Sequence, residues 1–299
     1  MTTETRHVTV CICTFRRPDL LRHLLNELPH QKTEGSFTYS VVVADNDREQ
    51  TARPVVSEFA VRSSIPVTYC VEPRRNIALV RNKALALATG DFIAFIDDDE
   101  YPSPTWLYEL FQTCTGNGAD GAVGPVTPYF ATEPPDWATQ GKFFEKPTRK
   151  TGSSISYSEM RTSNVLIRRN ILDGSTAPFR AEFGTGNEDT DFFLRMRDKG
   201  RVFVSCAEAV VYEMVPPTRC TRGYLMRRAL HRGNNSVKYL DRHGWGFVRA
   251  LIAIPAYSLA LPFLFIAGEH HFMKFMIKIC DHAGRMLALL RFHPFHEYI

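Results

Sequence analysis

The run Phe92-Ile93-Ala94-Phe95-Ile96 carries no polar side chain and stops at three consecutive carboxylates, Asp97-Asp98-Asp99. A strand that is apolar at every position is buried on both faces, as in the interior of a parallel sheet covered by helices on each side. The acids then stand at the strand's carboxyl end, where open α/β sheets bind ligands. Three adjacent like charges repel, and a hard divalent cation with oxygen ligands, bridging to phosphates, offsets that repulsion. A metal-diphosphate site is the first reading of these three residues, and an acidic surface turn is the other.

The flanking segments alternate between strand and helix patterns. Residues 8–14 read as a strand and 18–28 as a helix opened by Pro18; 39–44 read as a strand that ends at Asp45-Asn46-Asp47. A helix over 52–61, a strand over 67–71 and a helix over 77–88, closed by Thr89-Gly90, complete the pattern. This alternation predicts right-handed crossovers and a mostly parallel sheet whose polar strand ends share one edge. Thr14, Asp45 and the three acids then gather around one crevice.

Composition is that of an ordered chain: 299 residues, 44% hydrophobic and 23% charged, enough for one large core or two modest ones. The seven cysteines are odd in number and include no C-x-x-C pair, so they read as small buried hydrophobes of a reducing compartment. Residues 1–7 lack the apolar stretch of a secretory signal, which places the N-terminal half in the cytosol. Charge is unevenly spread. From Arg219 onward there are 12 Lys/Arg against 4 Asp/Glu, a net +8, and before it 24 against 28, a net −4. The basic tail also holds the longest uncharged run, the 19 residues 250–268. That length lies at the edge of the membrane-spanning range, although Pro255 and Pro262 argue against a straight span. Basic residues on both flanks, Arg227, Arg228, Arg232 and Arg242 before and Lys274, Lys278, Arg285 and Arg291 after, favour a re-entrant or surface-lying element with both ends cytoplasmic. Residues 272–292 have the spacing of an interfacial amphipathic helix. Packing on the main domain, or between the subunits of a homo-oligomer, is the other reading of this tail.

Five segments, in order, carry a resemblance: residues 10–18 (VCICTFRRP), Val43-Ala44-Asp45-Asn46, residues 76–82 (NIALVRN), Asp97-Asp98-Asp99, and residues 186–192 (GNEDTDF). Together they resemble glycosyltransferase family 2 over about residues 6–215, and the tail beyond Val215 is similar to bacterial exopolysaccharide enzymes of the succinoglycan type. The resemblance implies a GT-A (Rossmann-like) α/β fold with flanking helices. A catalytic domain is expected over 1–218, with a nucleotide-binding half (1–100) and an acceptor-binding half (101–218), followed by a helical, membrane-associating tail over 219–299.

Each segment also has a chemical reading. Thr14 and Arg16 can donate to a uracil edge or a phosphate, and Asp45 can accept from the uracil N3–H. Arg75 and Arg81 can stack on a base or meet phosphate, or can be ordinary helix-surface arginines. Asp97 faces ribose or metal and Asp98 the nucleotide, and the resemblance makes Asp99 the main ligand of Mn²⁺ or Mg²⁺. Glu188-Asp189 is the candidate base; the resemblance selects Asp189, with Glu188 and Asp191 orienting it or binding acceptor, while Gly184 and Gly186 leave room for that acceptor. Acids in a first helical turn are also favoured by the helix dipole alone. Where many relatives place a metal- or phosphate-binding histidine, this chain has Val211-Tyr212-Glu213, so Glu213, or tail arginines such as Arg219 and Arg222, are the expected substitutes. Trp137, Ser163 and Asn164 are candidate acceptor contacts, and residues 152–158 a loop able to close over the donor.

The expected activity is inverting, metal-dependent transfer from a UDP-sugar, UDP-glucose by analogy with the family, to a lipid-linked saccharide. The expected location is the cytoplasmic face of a bacterial inner membrane, with no nucleic-acid partner. A metal-dependent nucleotidyl- or phosphoryl-transferase and a non-catalytic, membrane-bound assembly subunit are the alternatives.

Overall fold

The computed structural model describes residues 5–157, 159–240 and 245–292; the expectations that touch residues 1–4, Ser158 and Arg242 lie outside the described residues. The chain divides into two compact units: Met1–Thr127, Lys146–Gly184 and Glu188–Glu213 form one, and Pro128–Glu145, Thr185–Asn187 and Met214–Ile299 the other. Residues 128–145, expected in the acceptor-binding half of the catalytic domain, group with the tail.

In chain order the elements are β1 (Arg6–Thr14), α1 (Pro18–Glu27), β2 (Phe37–Asp45), α2 (Arg53–Arg62), β3 (Val67–Val71), α3 (Ile77–Leu87), β4 (Phe92–Asp97) and β5 (Glu100–Pro102). Next come α4 (Trp106–Gly116), β6 (Gly121–Val123), β7 (Val126–Tyr129), α5 (Asp136–Gly141), β8 (Val165–Arg168), α6 (Glu188–Asp198), β9 (Phe203–Ser205) and β10 (Val211–Met214). The tail contains α7 (Arg222–Leu240), α8 (Trp245–Ala267) and α9 (Glu269–Leu289).

The first unit is built on a seven-stranded sheet of order β3-β2-β1-β4-β8-β6-β9. β1 runs parallel to β2 and β4, β2 parallel to β3, and β8 antiparallel to both β4 and β6. In this register Thr14 lies beside Asp45, and Cys13 beside Asp97. The strand ends therefore meet at one edge, as expected from the alternation of strand and helix patterns. Successive strand residues face opposite layers. Val8, Val10, Ile12 and Val43 pack against Leu21 and Leu24 of α1, Phe59 of α2 and Trp106 of α4. Cys11, Val42 and Ile93 face Val80 and Ala84 of α3 and Phe192 and Phe193 of α6. All seven cysteines are free thiols.

In the second unit α7 and α9 approach so closely that a Cβ at Gly233 would lie 2.0 Å from the Asp281 carbonyl oxygen, and one at Gly284 2.0 Å from that of Leu230. Arg232 holds Asp281 in a two-pronged ion pair. α8 runs without a break through Pro255 and Pro262, the two prolines expected to argue against a straight span. Each proline removes one helical hydrogen bond, and the bonds on either side carry the helix across. Its segment Phe247–Ala267, 21 residues, is long and apolar enough to cross a membrane, and little of it is buried. Ile252, Leu259, Phe263 and Ile266 are each more than two-thirds exposed.

Candidate active site

The three acids sit at the floor of the sheet edge in different surroundings. Asp98 and Asp99 are nearly buried, and Arg17 Nη1 reaches both, at 3.2 Å and 3.1 Å. Thr14 Oγ1 donates to Asp98 Oδ2 at 2.7 Å. Its single hydroxyl proton is thereby used to orient an acid rather than to meet a nucleotide. Asp97, whose side chain is 40% exposed, lies 3.5 Å from Arg81 Nη2. Crowding by protein raises the Asp97 carboxyl to about 6, with Arg81 opposing the rise and Asp99 adding to it. Burial likewise lifts Asp98 to about 7 against the pull of Arg17. These acids are short of positive charge, which is the condition a bound cation relieves.

Next to them, β10 pairs with β5 so that Glu213 lies beside Glu100. Glu100 Oε2 accepts from the Asp97 backbone N–H at 3.0 Å, and Lys146 Nζ lies 3.6 Å from Glu213 Oε2. Burial raises the Glu100 carboxyl well above the usual range, and the neighbouring Asp97 adds to the effect. Glu213 thus joins the acid cluster, in the place where a histidine was anticipated, and brings a lysine with it. Of the tail arginines, Arg222 is paired with Glu269 within its own unit. Among the described residues no three acid, histidine or cysteine side chains converge as a ready-made metal cage. The donor set fits a hard cation held by one or two carboxylates, with phosphate and water completing the shell.

The loops at this edge are tied to one another. Asp45 is fully buried. Its Oδ1 accepts from the Asp47 N–H at 2.9 Å, and its Oδ2 from the Ala52 N–H at 3.1 Å and the Tyr69 hydroxyl at 2.8 Å. The carboxylate expected to read uracil instead braces the turn after β2. Asn46, to which no role was given, donates to the carbonyls of Glu72 and Arg74, both at 2.7 Å, and accepts from the Asn76 N–H at 3.0 Å. Arg16 has a left-handed backbone, φ 54°, and its Nε donates to Asp47 at 3.2 Å. The guanidiniums of Arg16 and Arg75 lie 5.3 Å and 4.9 Å from the ring centre of Phe15, so the two arginines stack on a protein ring.

α3 connects this edge to α6. Asn76 caps α3 by accepting from the Leu79 N–H, and its Nδ2 donates to the Ala181 carbonyl at 2.9 Å. Asn82 exchanges two hydrogen bonds with the backbone of Phe179, at 2.7 Å and 2.9 Å. Arg81, buried, pairs with Glu188 as well as with Asp97. Glu188 Oε2 is buried with no partner among the described residues. Asp189 is half-buried; its Oδ1 accepts from the Thr190 N–H at 2.6 Å, and no donor among the described residues meets its Oδ2. Asp191 accepts from Arg180 Nε at 3.0 Å and Arg195 Nε at 2.9 Å, so its place is to anchor α6.

Other expectations are corrected by burial and hydrogen bonding. A Cβ at Gly184 would fall 2.1 Å from Asn76 Nδ2, so the room reserved for an acceptor is filled by Asn76. Asn164 accepts from Trp106 Nε1 at 2.8 Å and donates to the carbonyls of Pro125, at 2.9 Å, and Ala209, at 2.8 Å, which leaves it no donor to offer a sugar. Trp137 is core in the second unit, packed with Ala138, Leu225 and Met273. The expected closing loop is fastened to β9: the Gly152 N–H donates to the Ser205 carbonyl, and Ser154 bridges to Val204. Of the three acceptor candidates Ser163 and Asn164 line a cavity, and of these two Asn164 has its carboxamide taken up by Trp106, Pro125 and Ala209. Arg17, Asn46, Asn76, Asn82 and Lys146 were missed. Only Asn76 left a local signal, a capping residue ahead of an apolar helical run.

A mostly parallel sheet with acids at its carboxyl edge, joined through Arg81 to a helix opened by two carboxylates, defines a GT-A glycosyltransferase. The model of glycosyl transferase family 2 matches residues 9–178, more than half of the chain, and the chain belongs to that family. It is 31% identical to the succinoglycan biosynthesis protein ExoM of Rhizobium meliloti (strain 1021) over 308 aligned positions, which cover 100% of this chain and 97% of that one. It is 35% identical to a glucosyl-dolichyl phosphate glucuronosyltransferase of Haloferax volcanii over 171 positions, 55% of this chain and 53% of that one. Two solved structures share the fold. A mannosyltransferase of Pyrobaculum calidifontis, in complex with GDP-Man and Mn²⁺, has a TM-score of 0.63 at 18% identity, covering 97% of this chain and 88% of that one. S. aureus TarS 1-349 in complex with UDP has a TM-score of 0.54 at 15% identity, covering 98% and 94%. The protein is therefore an enzyme of sugar transfer, and neither the nucleotidyl-transferase nor the non-catalytic alternative stands.

Proposed function

We propose that the chain is an inverting, metal-dependent glycosyltransferase that moves a sugar from a UDP-sugar, UDP-glucose first among them, to a lipid-linked saccharide in exopolysaccharide synthesis. One observation carries the reading: buried Arg81 joins Asp97, at the donor edge, to Glu188, the neighbour of a half-buried carboxylate whose Oδ2 meets no donor among the described residues. In this reading Arg81 meets the diphosphate, and Asp99 with Asp97 would hold Mn²⁺ or Mg²⁺. The bound ion supplies positive charge to the departing diphosphate. Asp189, steadied through Oδ1, takes the acceptor hydroxyl's proton on Oδ2, and Glu188 keeps the start of α6 in position. One carboxylate base implies a single displacement, so an α-linked donor gives a β-linked product. The exposed apolar length of α8, between basic helices, supports attachment to the cytoplasmic face of a bacterial inner membrane.

Asp189→Asn tests the base. Transfer from UDP-glucose to membrane-lipid acceptor is expected to fall about 10²–10⁴-fold, while the thermal shift produced by UDP with Mn²⁺ persists. Near-parental transfer by this variant would remove Asp189 from the mechanism.

A further inference from the structure

The catalytic edge continues past β4. Because β8 is antiparallel to β4, with Phe95 beside Val165, the residues before β8, Ser163 and Asn164, emerge at the same edge as Asp97. β6 meets β8 with Val123 beside Val165, and β9 meets β6 with Ser205 beside Val123. Ser163, Gly124 and Ser205 therefore line up along the edge that holds the acids, one at each of the next three strands. A cavity opens there, its walls supplied by these residues and by Lys146, Arg149 and Arg161.

The charges of this cavity differ from those of the acid cluster. Arg149 is held by Glu159 through a two-pronged pair, with both contacts at 2.8 Å. Lys146 stands at the boundary, one side on Glu213 at 3.6 Å and the other lining the cavity. Arg161 is exposed and has no partner among the described residues. Three cations against Glu159 leave the lining net positive. Among the described residues no anion meets Arg161, and Ser163 and Ser205 add hydroxyls to the same lining. A neutral sugar offers that cation only hydroxyl acceptors, whereas a carboxylate or phosphate on a sugar gains stronger, fully charge-assisted hydrogen bonds.

We propose that this cavity is a saccharide subsite selective for an anionic substituent, a carboxylate or phosphate carried on a sugar, with Arg161 as the specificity-determining residue and Lys146 setting its catalytic boundary. The proposal rests on the sugar-transfer reading above and adds the class of acceptor. The substituent has two sources, an acidic sugar within the acceptor or the phosphate at the acceptor's reducing end, and both present the same chemistry to Arg161.

The full chain, saturated with UDP and Mn²⁺, would be titrated calorimetrically with methyl β-glucuronide, glucose 1-phosphate and methyl β-glucoside. At least one anionic sugar is expected to bind about tenfold or more tightly than the neutral glucoside, the gain of about one charge-assisted hydrogen bond. A preference for the glucuronide points to an acidic sugar, and a preference for the phosphate to the reducing end. Arg161→Gln should abolish the preference and leave UDP affinity unchanged; as an exposed residue it can be replaced without loss of folding. Equal binding of all three sugars, or a preference that survives Arg161→Gln, overturns the proposal while UDP binding stands. Failure of UDP itself to bind would instead count against the donor reading.

Discussion

Glu188 and Arg81 form an ion pair whose side chains are 4% and 7% exposed, so solvent screens it little and each charge depends on the other. Arg81→Met leaves a buried carboxylate whose second oxygen already lacks a donor, and removing one partner of a buried pair costs about 3–5 kcal/mol. Glu188→Gln should cost less, about 2–3 kcal/mol, because Arg81 keeps Asp97 at 3.5 Å and that partner is partly solvated. The double variant Arg81→Met/Glu188→Leu replaces the pair by apolar groups of similar volume and should return to within about 1 kcal/mol of the parent. Guanidinium unfolding, compared at constant m, measures all three. Transfer activity is expected to be lost in the double variant as well, which separates the stability of the pair from its use in catalysis. If Arg81→Met alone shifts stability by less than about 1 kcal/mol, the pair is solvated and the link from the donor edge to α6 is not made through it.

Asp98 and Asp97, raised to about 7 and about 6, hold protons more tightly in the folded than in the unfolded chain. Their contribution to stability is therefore full below about pH 4 and is lost as pH rises through 6 to 7. Between pH 5 and 7.5 the metal-free Asp98→Asn variant should lose less melting temperature than the metal-free parent; a steeper loss in the variant contradicts the sign. Gly184→Ala would force a Cβ to within 2.1 Å of Asn76 Nδ2; a destabilisation of about 1–3 kcal/mol is expected, with a fall in transfer, and an unchanged melting curve would show that the loop yields freely. Ile266→Asp, on the exposed length of α8, should weaken sedimentation with anionic lipid vesicles without altering UDP binding, and unchanged sedimentation would place the membrane contact elsewhere.

The nucleotide half was legible because its signals are local. An apolar run of five residues has to be covered on both faces, and the acid behind it has to sit at the edge; the register of β1 with β2 and β4 adds only the detail that Thr14 and Asp45 are neighbours. α6 was legible for the same reason, since Glu188 and Asp189 precede Phe192 and Phe193, which need a core. The acceptor side was not, because the same residue types serve opposite ends there. Asn164 directly precedes a strand, as a ligand residue would, but its carboxamide is claimed by Trp106, 58 residues away, and by two backbone carbonyls. Trp137 follows two prolines in a polar stretch that looks exposed, and only packing with Leu225 and Met273 makes it core.

Glu213 shows why a departure from a family pattern is hard to interpret in one dimension. A carboxylate in place of a histidine adds negative charge to a site already holding Asp97, Asp98 and Asp99, so on charge alone it should weaken the hold on a diphosphate. The β5–β10 register sets it beside a second glutamate, Glu100, which makes the repulsion worse. What relieves it is Lys146, 67 positions earlier and outside every recognised segment, whose ammonium reaches Glu213 and bears on Asp97 and Glu100 as well. Position 213 is thereby coupled through Lys146 to the segment that walls the neighbouring cavity, and a change there should be felt in both places. Glu213→His, which removes the anion that holds Lys146, is expected to alter the affinity for UDP with Mn²⁺ and also that for anionic sugars; an effect confined to the nucleotide would mean that Lys146 is positioned without Glu213.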